Sequence, residues 1–152
     1  MEATVNTPFE LYTIGFTRKD AETFFAILGK AGVRRIVDVR LNNTGQLAGF
    51  TKRDDLAFFL REIGAIDYVH LPILAPTTAM LRAYRDDKSS WEVYAQQIRR
   101  LMRERKIETV MREHLRTKDC LLCSEPTAGH CHRRIVAEYL QQHWKHIDIS
   151  HL

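Results

Sequence analysis

The sequence predicts an α/β fold of three layers, in which a mostly parallel sheet of about five strands carries helices on both faces. Two observations predict it. Short apolar runs alternate with longer segments whose apolar residues recur every three or four positions, giving the order βαβαβααβαβ. The residues richest in chemistry then fall where apolar runs end and helical patterns begin, the place where open α/β sheets put their ligand sites. With 152 residues and 45% apolar side chains, the chain fits one domain, residues 1–152, around one proper core.

Residues 11–15 read as a first strand ending at Gly15. Thr17 is placed to cap a helix whose Phe24, Phe25 and Leu28 keep a helical spacing and which fades around Gly29 and Gly32. Residues 35–40 form a second strand, with Ile36, Asp38 and Arg40 on one face and Val37 and Val39 on the other. Residues 41–50 lack periodicity and carry Asn42, Asn43, Gly45 and Gly49, a loop of the length usually reserved for function. Thr51 then caps a helix with Asp54 as its N3 acid, Leu56, Phe59, Leu60 and Ile63 as its buried stripe, and Gly64 as its stop.

Residues 68–71 are a third strand, closed by Pro72. Thr77 or Thr78 caps a short helix through Met80, Leu81 and Tyr84, and residues 86–89 make a polar turn. Ser90 caps a longer helix with Trp91, Tyr94, Ile98, Leu101 and Met102 inward. Residues 108–115 add a further helical turn or two. The fourth strand spans residues 119–123. A last helix over residues 131–144 turns Ile135, Val136, Tyr139 and Leu140 inward, and residues 147–149 form a terminal strand. Such an arrangement is of the Rossmann-like or flavodoxin-like kind.

The 23 Lys and Arg against 19 Asp and Glu give a net charge of +4, compatible with an anionic partner without demanding one. Residues 1–10 show no secretory leader pattern and no apolar run approaches the roughly 18–20 residues of a membrane span, so a cytoplasmic protein without a membrane partner is expected. Three cysteines, an odd number, argue against a disulfide scaffold.

All three cysteines lie between positions 120 and 131, with His130, His132, Arg133 and Arg134 close behind. A metal site is one reading. However, an offset of three in an extended strand puts Cys120 and Cys123 on opposite faces, so both cannot ligate one ion. No cofactor is therefore expected, with zinc or an iron–sulfur cluster as the disfavoured alternative. The preferred reading is a reactive or anion-binding centre. Cys131 sits in the first helical turn, where free N–H groups and nearby cations favour a thiolate or a bound anion. Glu125 is placed as a general acid or base. Cys120 reads as plain core. A cysteine-phosphatase mechanism is excluded, because it needs an arginine six positions after the cysteine and position 137 is alanine.

At the other strand ends stand Gly15, Asp38, Arg40 and His70. A carboxylate in an apolar strand is costly unless paired, so Asp38 either pairs with Arg40 or orients a ligand. His70 is a core histidine or a proton shuttle. Arg99, Arg103 and Lys106 recur at helical spacing, which is more often a solvated face than a nucleic-acid surface.

Residues 13–15, 37–40, 49–50, 69–72, 122–125 and 130–133, in that order, resemble the bacterial and archaeal family called domain of unknown function 488. The resemblance runs over almost the whole chain. It implies an α/β fold and a shared site made of Asp38, Arg40, His70, Cys123, Glu125, Cys131, His132 and Arg133. Phe16 departs from the family pattern, in which a histidine often follows the glycine. The family name supplies no established reaction.

The residues together lead to a small cytoplasmic enzyme, a hydrolase or group transferase acting on an anionic substrate such as a nucleotide, a nucleoside derivative or a nucleic-acid end. Oxidoreduction is disfavoured because no Gly-x-Gly-x-x-Gly pattern follows the first strand. Asp38, His70, Cys123, Glu125 and Cys131 are the candidate chemical groups. Gly15, Arg40, His132 and Arg133 are the candidate anion holders. The alternatives are a non-enzymatic nucleic-acid or nucleotide-binding module, and a thiol-based metal or redox sensor. A homo-oligomer is compatible with all of these.

Overall fold

A computed structural model describes residues 9–44, 49–86, 89–125 and 128–152. Gly45 of the long loop, the middle of the polar turn after residue 86, and Pro126 lie outside the described residues. Five strands, β1 (Phe9–Gly15), β2 (Arg35–Asp38), β3 (Asp67–His70), β4 (Asp119–Cys123) and β5 (Ile147–His151), form one parallel sheet in the order β3-β2-β4-β1-β5. Among the described residues six helices connect them: α1 (Ala21–Ala31), α2 (Arg53–Gly64), α3 (Thr78–Arg85), α4 (Trp91–Glu104), α5 (Ile107–Val110) and α6 (His132–His143). None of the described helices is long and apolar enough to cross a membrane.

Two apolar clusters, one on each face of the sheet, make this a three-layer α/β protein. Tyr12, Ile14, Ile36, Cys120 and Leu122 face Phe24 and Leu28 of α1 and Leu56 and Leu60 of α2. Leu11, Val37, Val39, Leu121 and Cys123 face Ile98 and Met102 of α4 and Ile135, Val136 and Leu140 of α6. The two-residue period of each strand produces this division, so Cys120 and Cys123 do fall on opposite faces. α1 and α2 carry the chain toward the β3 edge over one face, and the remaining helices carry it back over the other. Right-handed crossovers require that reversal. Its consequence is that the connections leaving β2, β4 and β1 diverge to opposite faces and open a crevice above their C-terminal ends.

Several helix boundaries differ from those expected. α1 is capped by Asp20, whose carboxylate accepts from the Thr23 N–H at 2.8 Å. Thr17 is not its cap, because the Thr17 N–H donates to the Ser124 carbonyl at 3.0 Å and keeps residue 17 tied to β4. Thr51 does not cap α2 either. It is buried in a short 3-10 turn, and its carbonyl accepts from the Arg40 guanidinium at 2.7 Å. Gly64 is the last residue of α2 rather than its stop; the chain reverses at Ala65, at φ 53°. Ile63 is 60% exposed and leaves the buried stripe to Leu56 and Leu60. Thr77 and Ser90 cap α3 and α4 as expected, accepting from the N–H groups of Met80 and Val93.

Cys120 has no exposed surface and lies in the cluster against α1 and α2. Cys120→Ala should lower unfolding stability by about 1 kcal/mol, the cost of a small cavity. Urea denaturation measures it, and a neutral result would mean that this face repacks freely.

Candidate functional site

The crevice above β1, β2 and β4 contains a cavity of about 330 Å³. Phe16 and Thr17 enter it from the end of β1, Arg40 and Leu41 from the end of β2, and Cys123, Ser124 and Glu125 from the end of β4. His132 of α6 and Leu81 and Arg85 of α3 complete its walls. Three strand ends, distant in sequence, thus meet because the parallel register of β2 and β1 on either side of β4 brings them level.

On one wall the Cys123 sulfur lies 3.3 Å from His132 Nδ1. The other ring nitrogen, Nε2, is 2.9 Å from the Val39 carbonyl oxygen. A carbonyl only accepts, so Nε2 carries a hydrogen, and in the neutral tautomer the Nδ1 lone pair faces the Cys123 sulfur. Cys131, the N-cap residue of α6, completes the cluster. Its sulfur, that of Cys123 and a His132 ring nitrogen lie within 4.8 Å of one another, and all three residues are buried. Among the described residues these are the soft donors able to hold a metal ion. A hydrogen bond from the Cys131 thiol, opposed by burial and joined by the Ser124 N–H and the charge of Arg133, holds the Cys123 thiol below its ordinary pKa. The same sulfur–sulfur hydrogen bond and burial push Cys131 up.

Asp38 is fully buried and fully engaged. Its oxygens accept from Arg40 Nε and Nη2, both at 2.9 Å, from the Arg40 N–H at 3.1 Å, from the Tyr68 hydroxyl at 2.5 Å and from Asn43 at 3.3 Å. Burial alone raises a carboxyl pKa, but here the Arg40 and Tyr68 hydrogen bonds outweigh it and hold Asp38 below the ordinary value. The pair clamps the Arg40 guanidinium, which also lies 5.3 Å from the centre of the Phe16 ring. Phe16 serves as an apolar floor under that guanidinium.

Arg133 has no exposed surface, and no carboxylate among the described residues pairs with it. Nε donates to Thr13 Oγ1 at 3.1 Å and Nη1 to the Glu125 carbonyl at 2.8 Å, while Nη2 has no partner among the described residues. Both acceptors lie around Gly15. A Cβ there would stand 1.4 Å from the Glu125 oxygen and 2.9 Å from Arg133 Nη1, so only glycine lets the β4–α6 turn cross the end of β1.

A family model described as a domain of unknown function, DUF488, matches residues 20–140. The chain belongs to this family. Comparisons with curated proteins and with solved structures give no match.

Of the residues that the DUF488 resemblance and the sequence singled out, the cavity brings together Arg40, Cys123, Glu125 and His132. Cys131 stands directly behind them, against Cys123. Asp38 and His70, neighbours across the β2–β3 register, do not line it; His70 Nε2 is 2.9 Å from the Arg40 carbonyl. Gly15 and Arg133 lie beneath the β4–α6 turn, also outside the cavity wall. Sequence reasoning missed Tyr68, Asn43, Thr13 and Arg85. Strand alternation puts Tyr68 on the face of His70 and Thr13 on that of Gly15, a signal available in the sequence. Nothing local marks Asn43 or Arg85.

Asp38→Asn should cost about 3–5 kcal/mol at neutral pH, because it leaves the Arg40 charge buried without its counterion. A carboxyl lowered in the folded state adds stability above its unfolded pKa, about 3.9, and loses it as pH falls through the folded value. The gap between wild type and Asp38→Asn in urea midpoint should therefore narrow below about pH 4. A gap independent of pH would deny the ion pair that role. Gly15→Ala should destabilise by about 3 kcal/mol or more, since backbone must move; an unchanged melting temperature would contradict the close approach.

Proposed function

We propose that this protein is a small enzyme that transfers or hydrolyses a group on an anionic substrate, with Cys123 as nucleophile and His132 as its base. The observation that carries the reading is the Cys123–His132 contact of 3.3 Å on the wall of a cavity that also presents Arg40 and Arg85. A thiol needs a positioned base to act near neutrality, and the Val39 carbonyl supplies the third group that fixes the base's tautomer.

In this mechanism the Cys123 sulfur attacks the electrophilic carbon or phosphorus while His132 Nδ1 takes the thiol proton. The leaving group departs with that proton. Water, deprotonated by Glu125, or an acceptor molecule then releases the group from sulfur. Arg40 and Arg85 hold the substrate's negative charge, and Asp38 acts only by holding Arg40 in place. Nucleotides, nucleoside derivatives and nucleic-acid ends meet the demand for an anion beside a partly apolar wall formed by Phe16, Leu41 and Leu81.

The test is turnover of a panel of nucleotide esters and phosphorylated nucleosides, with trapping of the enzyme-bound intermediate. Cys123→Ser should abolish turnover and His132→Ala should lower it by about 10²–10⁴-fold. Glu125→Ala should stop release while leaving the modified Cys123 detectable by mass spectrometry. Full activity in Cys123→Ser would sink the reading. Ligand binding that falls steeply with salt, without turnover, would favour a nucleotide-binding module.

A further inference from the structure

From the convergence of Cys123 Sγ, Cys131 Sγ and His132 Nδ1, we infer that the chain carries a three-ligand zinc site whose remaining coordination position opens into the cavity. Two elements supply the ligands, β4 and the start of α6, and the donor atoms lie within 4.8 Å of one another. Two sulfurs at about 2.3 Å and one nitrogen at about 2.0–2.1 Å from a tetrahedral centre stand roughly 3.5–3.8 Å apart, a spacing that the 3.3 Å between Cys123 Sγ and His132 Nδ1 approaches and that lies inside the 4.8 Å bound on the whole set. Soft thiolate and imidazole donors select zinc over magnesium or calcium, which need oxygen ligands.

Two further features belong to a ligand set rather than to chance proximity. The His132 Nε2–H donates to the Val39 carbonyl at 2.9 Å, which orients the ring and leaves Nδ1 as the coordinating nitrogen. Metal-binding histidines are held in this way by a carbonyl or carboxylate behind the ring. Cys123 and His132 also line the cavity, so the fourth position is accessible to water or to a ligand anion. Cys120 is excluded, since it lies in the cluster on the opposite face of the sheet. The metal-ligand pair along this segment is therefore Cys123 and Cys131, not the Cys120 and Cys123 spacing that a linear pattern favours.

Coordination replaces the thiol hydrogens of Cys123 and Cys131 with the metal, the protons passing to solvent. A zinc-bound Cys123 has its sulfur lone pair engaged and its base occupied. Zinc then holds the thiol chemistry off, and its removal restores it. This regulatory consequence rests on Cys123 being the nucleophile; the metal site does not.

The experiment starts with full-length protein purified under reducing conditions, stripped with a chelator and titrated with zinc sulfate against a competing chromophoric chelator. About one zinc should bind per chain. Cys131→Ser and His132→Ala should each weaken binding by at least about 100-fold, and Cys120→Ala should leave it unchanged. Cobalt(II) in place of zinc should give the ligand-field bands of a tetrahedral site with thiolate-to-metal charge transfer. This reading uses wild-type protein and does not depend on whether a variant folds. Iodoacetamide labelling of Cys123, followed by mass spectrometry, should fall at least tenfold with one equivalent of zinc and recover on chelation. Absence of stoichiometric zinc binding, or binding indifferent to both ligand substitutions, overturns the inference. Zinc binding in a protein whose Cys123 supports no turnover would remove the catalytic reading and keep the metal site. Turnover through Cys123 without zinc binding would do the reverse.

Discussion

The hydrogen bond between His132 Nε2 and the Val39 carbonyl joins the exit of β2 to the first turn of α6, two segments separated by 93 positions. The geometry of the Cys123–His132 contact depends on it. It gives Nε2 the hydrogen, and in the neutral ring it turns a proton-accepting Nδ1 lone pair toward Cys123. It also occupies the Val39 carbonyl just past the end of β2. Loss of this contact would free the imidazole to rotate, and neither a thiol base nor a metal ligand would then be preorganised.

Charge is handled in two different ways within this small volume. Arg40 is buried but neutralised by Asp38, whose every remaining lone pair is engaged by Tyr68, Asn43 or backbone. Among the described residues, Arg133 is buried without a carboxylate partner and with one nitrogen unpartnered. A cation in that position is costly unless nearby groups gain from it. Cys123 gains from it, since the Arg133 charge is one of the influences that favour its thiolate. The charge environment of Cys123 and the packing of α6 on the sheet thus share one side chain, which also spans Thr13 and the Glu125 carbonyl over Gly15.

Much of the architecture was legible from patterns along the chain. The two-residue alternation in residues 119–123 assigned Cys120 and Cys123 to opposite faces, and the two apolar clusters agree. The 3–4 spacing in α4 and α6 identified their buried stripes. Helix starts were less legible, because capping by Thr17 or Thr51 competes with longer-range bonds. Thr17 is held by Ser124 and Thr51 by Arg40, and in both cases tertiary bonding outweighs a local cap. The pairing of Asp38 with Arg40 was one of two readings open in the sequence, since a carboxylate buried in an apolar strand needs a partner or a ligand to orient.

Sequence by itself determined the layer order, the parallel sheet and the strand-to-helix segment where reactive groups gather, because hydrophobic periodicity and backbone geometry are local properties. Only tertiary structure decided which of those groups meet. Strand order β3-β2-β4-β1-β5 sets β2 beside β4, and that adjacency gives His132 the Val39 carbonyl and brings Arg40 into the cavity wall. The turn between β4 and α6 folds Cys131 back onto Cys123, although the linear spacing draws attention to Cys120. Side-chain chemistry is written residue by residue, but the distances that make it a site come from packing contacts between segments remote in the chain.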